Sequence, residues 1–212
     1  MVKVIFFAGG NGVDGDLILR ADDGSDRIRL DASGGNMWLG GNGADGDLVI
    51  FASGGDNTTL ADATIHLNGD AGDIILQNAD CAEDFEILDE DVEPGMVMVI
   101  AEGSLLRKCS QAYDSCVAGV IAGAGVYKPG IVLGRKADSK NAYPVALVGR
   151  VFCKVDASYG EVKIGDLLTT SPTLGCAMSV RDPKEASGAV IGKALGNLKT
   201  GTNLVPTLIA LQ

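Results

Sequence analysis

The amino-acid sequence predicts an all-β protein in which a repetitive β-stem, resembling a trimeric β-helix, precedes a compact β-barrel or sandwich domain. Three features predict this class. Glycine supplies 30 of the 212 residues, about twice its average share, which indicates many tight turns. Short apolar doublets of period two fill residues 1–80, and Val/Ile-rich runs bounded by Gly or Pro fill residues 81–212.

The stem is predicted from six apolar doublets, in each of which a single residue separates the two members. This alternation is typical of a strand with one buried face, and Gly, Asp and Asn fill the turns between the doublets. The doublets are Leu17/Leu19, Ile28/Leu30, Met37/Leu39, Leu48/Ile50, Ile65/Leu67 and Ile74/Leu76. Residues 1–80 are therefore expected to form short strands with a turn about every ten residues.

A longer repeat is superimposed on the doublets. Residues 9–17 (GGNGVDGDL) return as residues 40–48 (GGNGADGDL), 31 positions later. Self-similarity at a fixed spacing indicates stacked units that bury one continuous core. Each unit offers only two or three apolar side chains, too little burial to offset the ordering entropy of a single chain. The stem is therefore predicted to be a homotrimer with a shared core, with a monomeric β-solenoid as the alternative.

The stem also contains a partial match to a calcium-binding repeat. Residues 40–45 fit the first six positions of the nonapeptide GGxGxDxUx, but Asp47 occupies a position that should be apolar. The two copies also lie 31 residues apart, whereas calcium-binding turns stack at the nonapeptide spacing. A calcium-binding secreted β-solenoid therefore remains an alternative. The turn aspartates are predicted to be solvated, and no metal ligand or cofactor is assigned.

Two side chains between doublet members are predicted to point away from the buried face. His66 lies between Ile65 and Leu67 and is expected on the surface rather than as a ligand. Trp38 is expected to face outward and to pack on a neighbouring loop or contact a ligand such as a sugar. The identity of any ligand-binding residue stays open.

The charge distribution limits the partners. The formal net charge is −11, and residues 1–80 carry 13 Asp and no Glu against four Lys or Arg. An acidic stem disfavours nucleic acid and anionic lipid as partners. No apolar stretch is long enough for a membrane helix or a signal peptide. Membrane insertion is therefore not expected. The chain is expected to be synthesised in the cytoplasm without a signal peptide.

The sequence offers few groups for catalysis. The chain holds one His, so a Ser-His-Asp or Cys-His centre would have to use His66. The five Cys contain no CxxC pair and are expected to be reduced core residues rather than zinc ligands. No catalytic residue is therefore assigned, and the protein is predicted not to be an enzyme.

Residues 81–212 contain their own duplication, with pseudo-repeats near residues 85–150 and 155–212. Residues 92–98 align with 162–168, and residues 119–121 align with 189–191, both at an offset of 70. Each copy consists of a Gly turn, a strand, a polar stretch and a second strand. The pattern predicts a pseudo-symmetric barrel or sandwich with mainly antiparallel pairing, and a single short helix is expected near Pro183.

Four segments of this domain resemble a known family. They are residues 95–99 (GMVMV), 112–121 (AYDSCVAGVI), 144–151 (PVALVGRV) and 165–168 (GDLL). Together they are similar to the C-terminal β-domains of phage tail fibres and tail spikes, in particular to intramolecular chaperone (auto-processing) domains. The resemblance covers roughly residues 82–212 and implies a domain that helps a trimer to form. Some members of that family cut themselves off, but no Ser or Asn is assigned this role here.

The stem and the resemblance together lead us to expect a trimeric structural fibre or spike of a phage, or of a phage-like contractile injection particle. The expected location is the virion or an extracellular particle. The expected partners are two further copies of the chain, other particle or baseplate proteins, and a cell-surface glycan or other receptor. The C-terminal domain would serve trimerisation or receptor contact. A self-processing spike, which the resemblance implies, or a polysaccharide-degrading spike is a second alternative. Paired carboxylates, which a polysaccharide-degrading spike would need, are plentiful in the stem.

Overall fold

The computed structural model describes residues 3–6, 15–32, 34–41, 43–135, 139 and 141–211, with the backbone alone for Lys3–Phe6. Strands make up 49% of the chain and helices 5%, which confirms the predicted all-β class. The chain divides into two compact units, Met1–Gln77 and Asn78–Gln212. This division falls three residues before the boundary that the change in composition predicts. We call the two parts the N-terminal unit and the C-terminal unit.

The N-terminal unit contains two antiparallel sheets in which each strand pairs with its neighbour in sequence. The first sheet consists of β1 (Lys3–Phe6), β2 (Leu17–Arg20), β3 (Asp26–Asp31) and β4 (Asn36–Leu39). The second consists of β5 (Leu48–Phe51), β6 (Ala63–Asn68) and β7 (Asp73–Leu76), and a 3-10 helix at Leu60–Asp62 precedes β6. Calcium-binding solenoids stack parallel turns. The described strands form antiparallel meanders instead, so they are not those of a β-solenoid.

Every apolar doublet lies in a strand, one in each of β2 to β7. The register places the doublets opposite one another. Ile28 pairs with both Leu19 and Leu39, and in the second sheet Ile65 pairs with Ile50. Because side chains alternate between the two faces of a strand, the doublets of each sheet share one face. We call this face of the two sheets the doublet face.

The two sheets repeat one three-stranded module, β2–β3–β4 in module 1 and β5–β6–β7 in module 2. The Gly40 amide donates to the Arg27 carbonyl just after β4 (2.8 Å), and the Gln77 amide donates to the Thr64 carbonyl just after β7 (3.1 Å). Gln77 follows Gly40, and Thr64 follows Arg27, by 37 positions. The spacing exceeds the 31-residue sequence repeat because the β5–β6 loop is longer than the β2–β3 loop.

An aspartate at the start of each module is fastened to the second strand of that module. Asp16 accepts hydrogen bonds from Arg29 Nε (3.1 Å) and from the Ala32 amide (3.2 Å). The Asp47 carboxylate forms a hydrogen bond with His66 Nε2 (2.7 Å) and accepts another from the Gly69 amide (3.0 Å). The sequence repeat therefore marks a structural module with a conserved geometry. Residues 9–14 of the first copy lie outside the described residues.

The C-terminal unit contains ten strands and two 3-10 helices in its described part. The strands are β8 (Asp80–Glu86), β9 (Val97–Ile100), β10 (Leu106–Lys108), β11 (Val117–Ile121), β12 (Pro129–Leu133), β13 (Ala142–Asp156), β14 (Leu167–Thr170), β15 (Ala177–Ser179), β16 (Val190–Ala194) and β17 (Thr202–Ala210). The 3-10 helices are Glu102–Ser104 and Ala157–Tyr159. Only the β8–β12 and β13–β15 pairs among them are parallel, so the predicted antiparallel pairing dominates.

Five of these strands close into a barrel. β13 pairs with β15, β15 with β14, β14 with β16 and β16 with β17, and β17 returns to β13. The core includes Val151, Val155, Leu168, Ile191 and Ile209, each at most 2% exposed. The predicted helix near Pro183 is wrong, because a hydrogen-bonded turn occupies those residues.

The duplication is visible in matching turns before β9 and β14. Gly95 and Gly165 occupy these turns with φ angles of 94° and 90°, which favour glycine. They stand at the predicted offset of 70. Further along, Gly119 in β11 and Gly192 in β16 take equivalent places opposite β9 and β14, at an offset of 73. The predicted alignment of the second strand is therefore three residues out of register.

Candidate functional site

The doublet face of the N-terminal unit is apolar and exposed to solvent. Seven of its side chains are between 36% and 72% exposed: Leu30, Met37, Leu48, Ile50, Ile65, Leu67 and Ile74. Large apolar side chains usually lie in a core, and a contiguous exposed patch of them marks an interaction site. The doublet face is therefore the candidate functional surface of this unit.

The opposite face of the two sheets is partly covered. Ile18, 8% exposed, is the one buried apolar residue in the described part of the N-terminal unit, and His66 is 5% exposed. The prediction that His66 lies on the surface is wrong. Alternation does place it opposite the doublets, but the Asp47 carboxylate lies 2.7 Å from its Nε2 and helps to bury it. Trp38 lies on the same face of module 1 and is 57% exposed, as predicted.

The His66–Asp47 pair fastens a loop and lacks the partners of a catalytic centre. The hydrogen bond from His66, together with one from the Gly69 amide, lowers the pKa of Asp47. Within the described ranges, Asp47 is the only side chain hydrogen-bonded to His66. A nucleophile–base pair would require a hydroxyl or thiol there. The pair corresponds in position to the Asp16–Arg29 pair of module 1, which indicates a structural role.

The acidic turns are held together by local hydrogen bonds. Asp23 accepts from the Ser25 amide (2.9 Å), and Asp45 accepts from the Gly46 amide (3.0 Å). The Ser25 hydroxyl also bonds Asp23 and lowers the pKa of its carboxyl group. In the part of the chain that the structure describes, no three His, Cys, Asp or Glu side chains are grouped so that they could hold a metal ion.

An unpaired carboxylate is buried at the start of the C-terminal unit. Asp80 is 6% exposed, and neither of its carboxylate oxygens has a hydrogen-bond partner among the described residues. This burial raises the pKa of Asp80 from 3.8 to about 6. Gly149 lies opposite in β13, where a Cβ atom would come within 2.7 Å of the Asp80 Cα. Sequence reasoning missed Asp80 because a single acid within a strand has no motif or spacing to mark it.

The five cysteines are free thiols, and the expectation that they lie in the core is correct for three of them and wrong for the other two. Cys109, Cys153 and Cys176 are buried, whereas Cys81 is half-buried and Cys116 is exposed. Burial raises the pKa of the Cys109 thiol to about 12 and also raises the pKa of Cys153 and Cys176. These three thiols therefore stay protonated at neutral pH and behave as small apolar core groups.

No protein-family model matches the sequence, and no curated protein is similar to it at a significant level. No helix among the described residues is both long enough and apolar enough to cross a membrane. The doublet face and the buried Asp80 are the two features used in the functional proposals that follow.

Proposed function

We propose that the protein is a structural fibre or spike subunit of a phage or phage-like contractile injection particle, and that it assembles as a homotrimer. The exposed doublet face carries this proposal. Three copies that turned their doublet faces toward a common axis would bury these side chains in one shared core. Burial of apolar surface stabilises by roughly 25 cal/mol per Å², so seven such side chains per chain represent a substantial driving force.

A copy of the same chain fits this surface better than an unrelated partner does. The chain presents the doublet face twice, at matching positions of modules 1 and 2, so a partner must match a repeated pattern. Another copy carries that pattern in the same spacing. The described aspartates of the N-terminal unit lie in turns, in loops, in the 3-10 helix or at strand ends. Self-association through the doublet faces therefore need not press like charges together, despite the acidic composition.

The C-terminal unit has the complementary role in this proposal. Its barrel has a core of its own, so it can fold around itself and hold three stems in register, as its resemblance to intramolecular chaperone domains implies. The same unit, displayed three times, could contact a receptor with increased avidity. Other particle or baseplate proteins and a cell-surface glycan or receptor are the proposed partners, and the assembled particle or virion is the proposed location.

The test compares two neighbouring isoleucines of β7. Ile74 is 72% exposed on the doublet face, and Ile75 is 49% exposed on the opposite face. We expect the wild type and Ile75→Asp to show a mass near three times 21.7 kDa by light scattering, and Ile74→Asp to dissociate. A wild type that stays monomeric at every concentration, or equal dissociation of both variants, would contradict the proposal.

A second candidate function, self-processing, is favoured by one observation. Asp80 lies two residues beyond the start of the C-terminal unit, buried and unpaired in the described structure, and its pKa is about 6. A carboxyl group that titrates in this range can take a proton from water and return it to a departing amide nitrogen. The net reaction would add one water molecule across a nearby peptide bond.

Intact-mass measurements over several days test this second candidate. Self-processing predicts that the wild-type chain splits near residues 78–80 and that Asp80→Asn remains whole. Cleavage in both proteins, or in neither, would eliminate Asp80 as a processing residue.

A further inference from the structure

Module 1 contains a small cleft on the face opposite the doublets. The cleft has a volume of about 180 Å³ and is lined by Asp26, Arg27, Ile28, Arg29, Trp38 and Gly40. Arg29 lies directly across from Trp38 in the β3–β4 pair. Two arginines and the exposed Trp38 therefore line one space.

Backbone forms one wall of this cleft. Gly40 lies opposite Arg27, since the Gly40 amide donates to the Arg27 carbonyl (2.8 Å). Gly40 has a φ of +70°, and a Cβ atom there would lie 2.5 Å from the Gly46 Cα. A side chain at this position would be strained and would collide with the Gly46 backbone, so this wall of the cleft requires glycine.

Arg27 has a hydrogen-bond donor without a partner in the described part of the chain. Arg27 Nη2 bonds the Asp23 carboxylate at 3.2 Å, whereas Arg27 Nη1 is buried and has no hydrogen-bond partner among the described residues. A buried donor without an acceptor is costly, and such groups commonly mark the place of a ligand or ion. The indole of Trp38 is 57% exposed and adds a flat apolar surface beside this donor.

We propose that this cleft binds one sugar ring of a glycan. The C–H face of the ring would pack on the Trp38 indole, and a hydroxyl or carboxylate oxygen would accept a hydrogen bond from the guanidinium of Arg27, whose side chain is 31% exposed. The cleft is smaller than the roughly 300 Å³ at which pockets for whole small molecules begin, which fits a single ring of a longer chain. This site adds a glycan contact in the N-terminal unit to the proposed fibre and rests on that function only for its biological setting.

Module 2 provides a comparison within the same chain. The positions of Arg27, Trp38 and Gly40 are taken there by Thr64, Ile75 and Gln77, 37 residues later. This second module therefore has the same strand register but neither the indole nor the guanidinium, and a side chain occupies the place of the glycine. The glycan site belongs to module 1 alone.

Tryptophan fluorescence reports directly on this site, because Trp38 is the only tryptophan in the chain. The full-length protein is titrated with the methyl glycosides of glucose, galactose, mannose, N-acetylglucosamine and glucuronic acid. We expect at least one of them to change the emission saturably, with a midpoint in the millimolar range. Arg27→Met keeps the aliphatic part of the side chain and should weaken binding by about tenfold or more, since a hydrogen bond to a charged group is lost.

The matched control moves the reporter to module 2. In Trp38→Phe/Ile75→Trp the new indole occupies the equivalent position without the arginine and glycine, and we expect no saturable change. Circular dichroism and solution mass are measured on every sample to verify folding and to record the oligomeric state separately. A saturable response from a monomeric wild type would support the glycan site and contradict the proposed homotrimer. The site is overturned if no glycoside gives a saturable wild-type response, or if Arg27→Met or the double variant responds as the wild type does.

Discussion

The two units of the chain are both β-structures, yet they differ in where their apolar residues lie. In the described C-terminal unit, 30 apolar residues are buried, and the most deeply buried include Met98, Ile121 and Leu168. In the described N-terminal unit Ile18 is the only buried apolar residue, and seven doublet side chains remain exposed. The same alternation of apolar and polar residues therefore gives a closed core in one unit and an open face in the other.

This difference follows from how each sheet is completed. The barrel strands of the C-terminal unit pair back on themselves from β17 to β13, so one chain supplies both sides of the core. The meanders of the N-terminal unit have three or four strands and no described layer over the doublet face. A sheet with one apolar face is stabilised when that face packs against another element. We infer that further copies of the chain supply it.

The largest expected effect contrasts two leucines. Leu168→Ala removes a side chain that is 0% exposed in the barrel core, and we expect it to lower the free energy of unfolding by about 2–5 kcal/mol. Leu67 is 39% exposed, so in dilute, dissociated protein Leu67→Ala should cost less than about 1 kcal/mol.

Spectroscopy separates the two units in this experiment. The single Trp lies in the N-terminal unit and all four Tyr lie in the C-terminal unit. Denaturant unfolding followed through Tyr should report Leu168→Ala, and unfolding followed through Trp38 should report Leu67→Ala. If both variants lower the free energy of unfolding of dissociated protein equally, the contrast between a closed core and an open face is contradicted.

An intermediate effect is expected from the buried carboxyl group of Asp80. Its pKa is raised from 3.8 to about 6, so folding favours the neutral form. The resulting stability is fully present below the unfolded pKa and is lost as the pH rises through the folded pKa. Asp80→Asn cannot ionise, and its stability relative to wild type should be about 2 kcal/mol higher at pH 8 than at pH 4.

Denaturant unfolding of the C-terminal unit at the two pH values measures this difference. The Tyr transition should carry the change, and the Trp38 transition should not. If the difference between Asp80→Asn and wild type is the same at pH 4 and pH 8, Asp80 is not held as a neutral group in the folded protein.

The smallest expected effect concerns the aspartate at the start of each module, which is hydrogen-bonded to the second strand of that module. Asp47→Ala removes the acceptors of His66 and of the Gly69 amide and should lower the denaturant midpoint of the Trp38 transition. Because the pKa of Asp47 is lowered, its contribution should be complete above pH of about 4 and fade only on further acidification. Asp56→Ala, which removes only the bonds that the Asp56 carboxylate accepts from the Thr58 amide and hydroxyl, is the matched control. Equal denaturant midpoints for the two variants would show that the hydrogen bonds of Asp47 to His66 and Gly69 do not stabilise the N-terminal unit.

The strands of the N-terminal unit could be predicted from sequence, but the way they associate could not. Period-two alternation located every doublet correctly, because a strand imposes it wherever one face differs from the other. The same alternation fits stacked parallel turns and antiparallel meanders equally well. His66 shows the second limit. Alternation placed it opposite the doublets, but only the long-range bond to Asp47 determined that it is buried.

The C-terminal unit shows a similar boundary between local and long-range information. Gly95 and Gly165 were recognisable as equivalent turns, because each needs a positive φ and stands at the same offset. The equivalence of Gly119 with Gly192 was missed, since loops of different length shift the second strand by three residues. The burial of Asp80 could not be predicted from the sequence, because it arises from strands β12 and β13, which pair with β8 from elsewhere in the chain.

The concentration dependence of unfolding tests most directly whether the N-terminal unit shares its core with other copies. Denaturant curves are recorded at 1 µM and 100 µM chain, following Trp38 and the tyrosines separately. A trimer core in the N-terminal unit predicts that the Trp38 transition gains about 5 kcal/mol per trimer over this range, while the tyrosine transition moves less. Superimposable Trp38 transitions at the two concentrations would contradict the account.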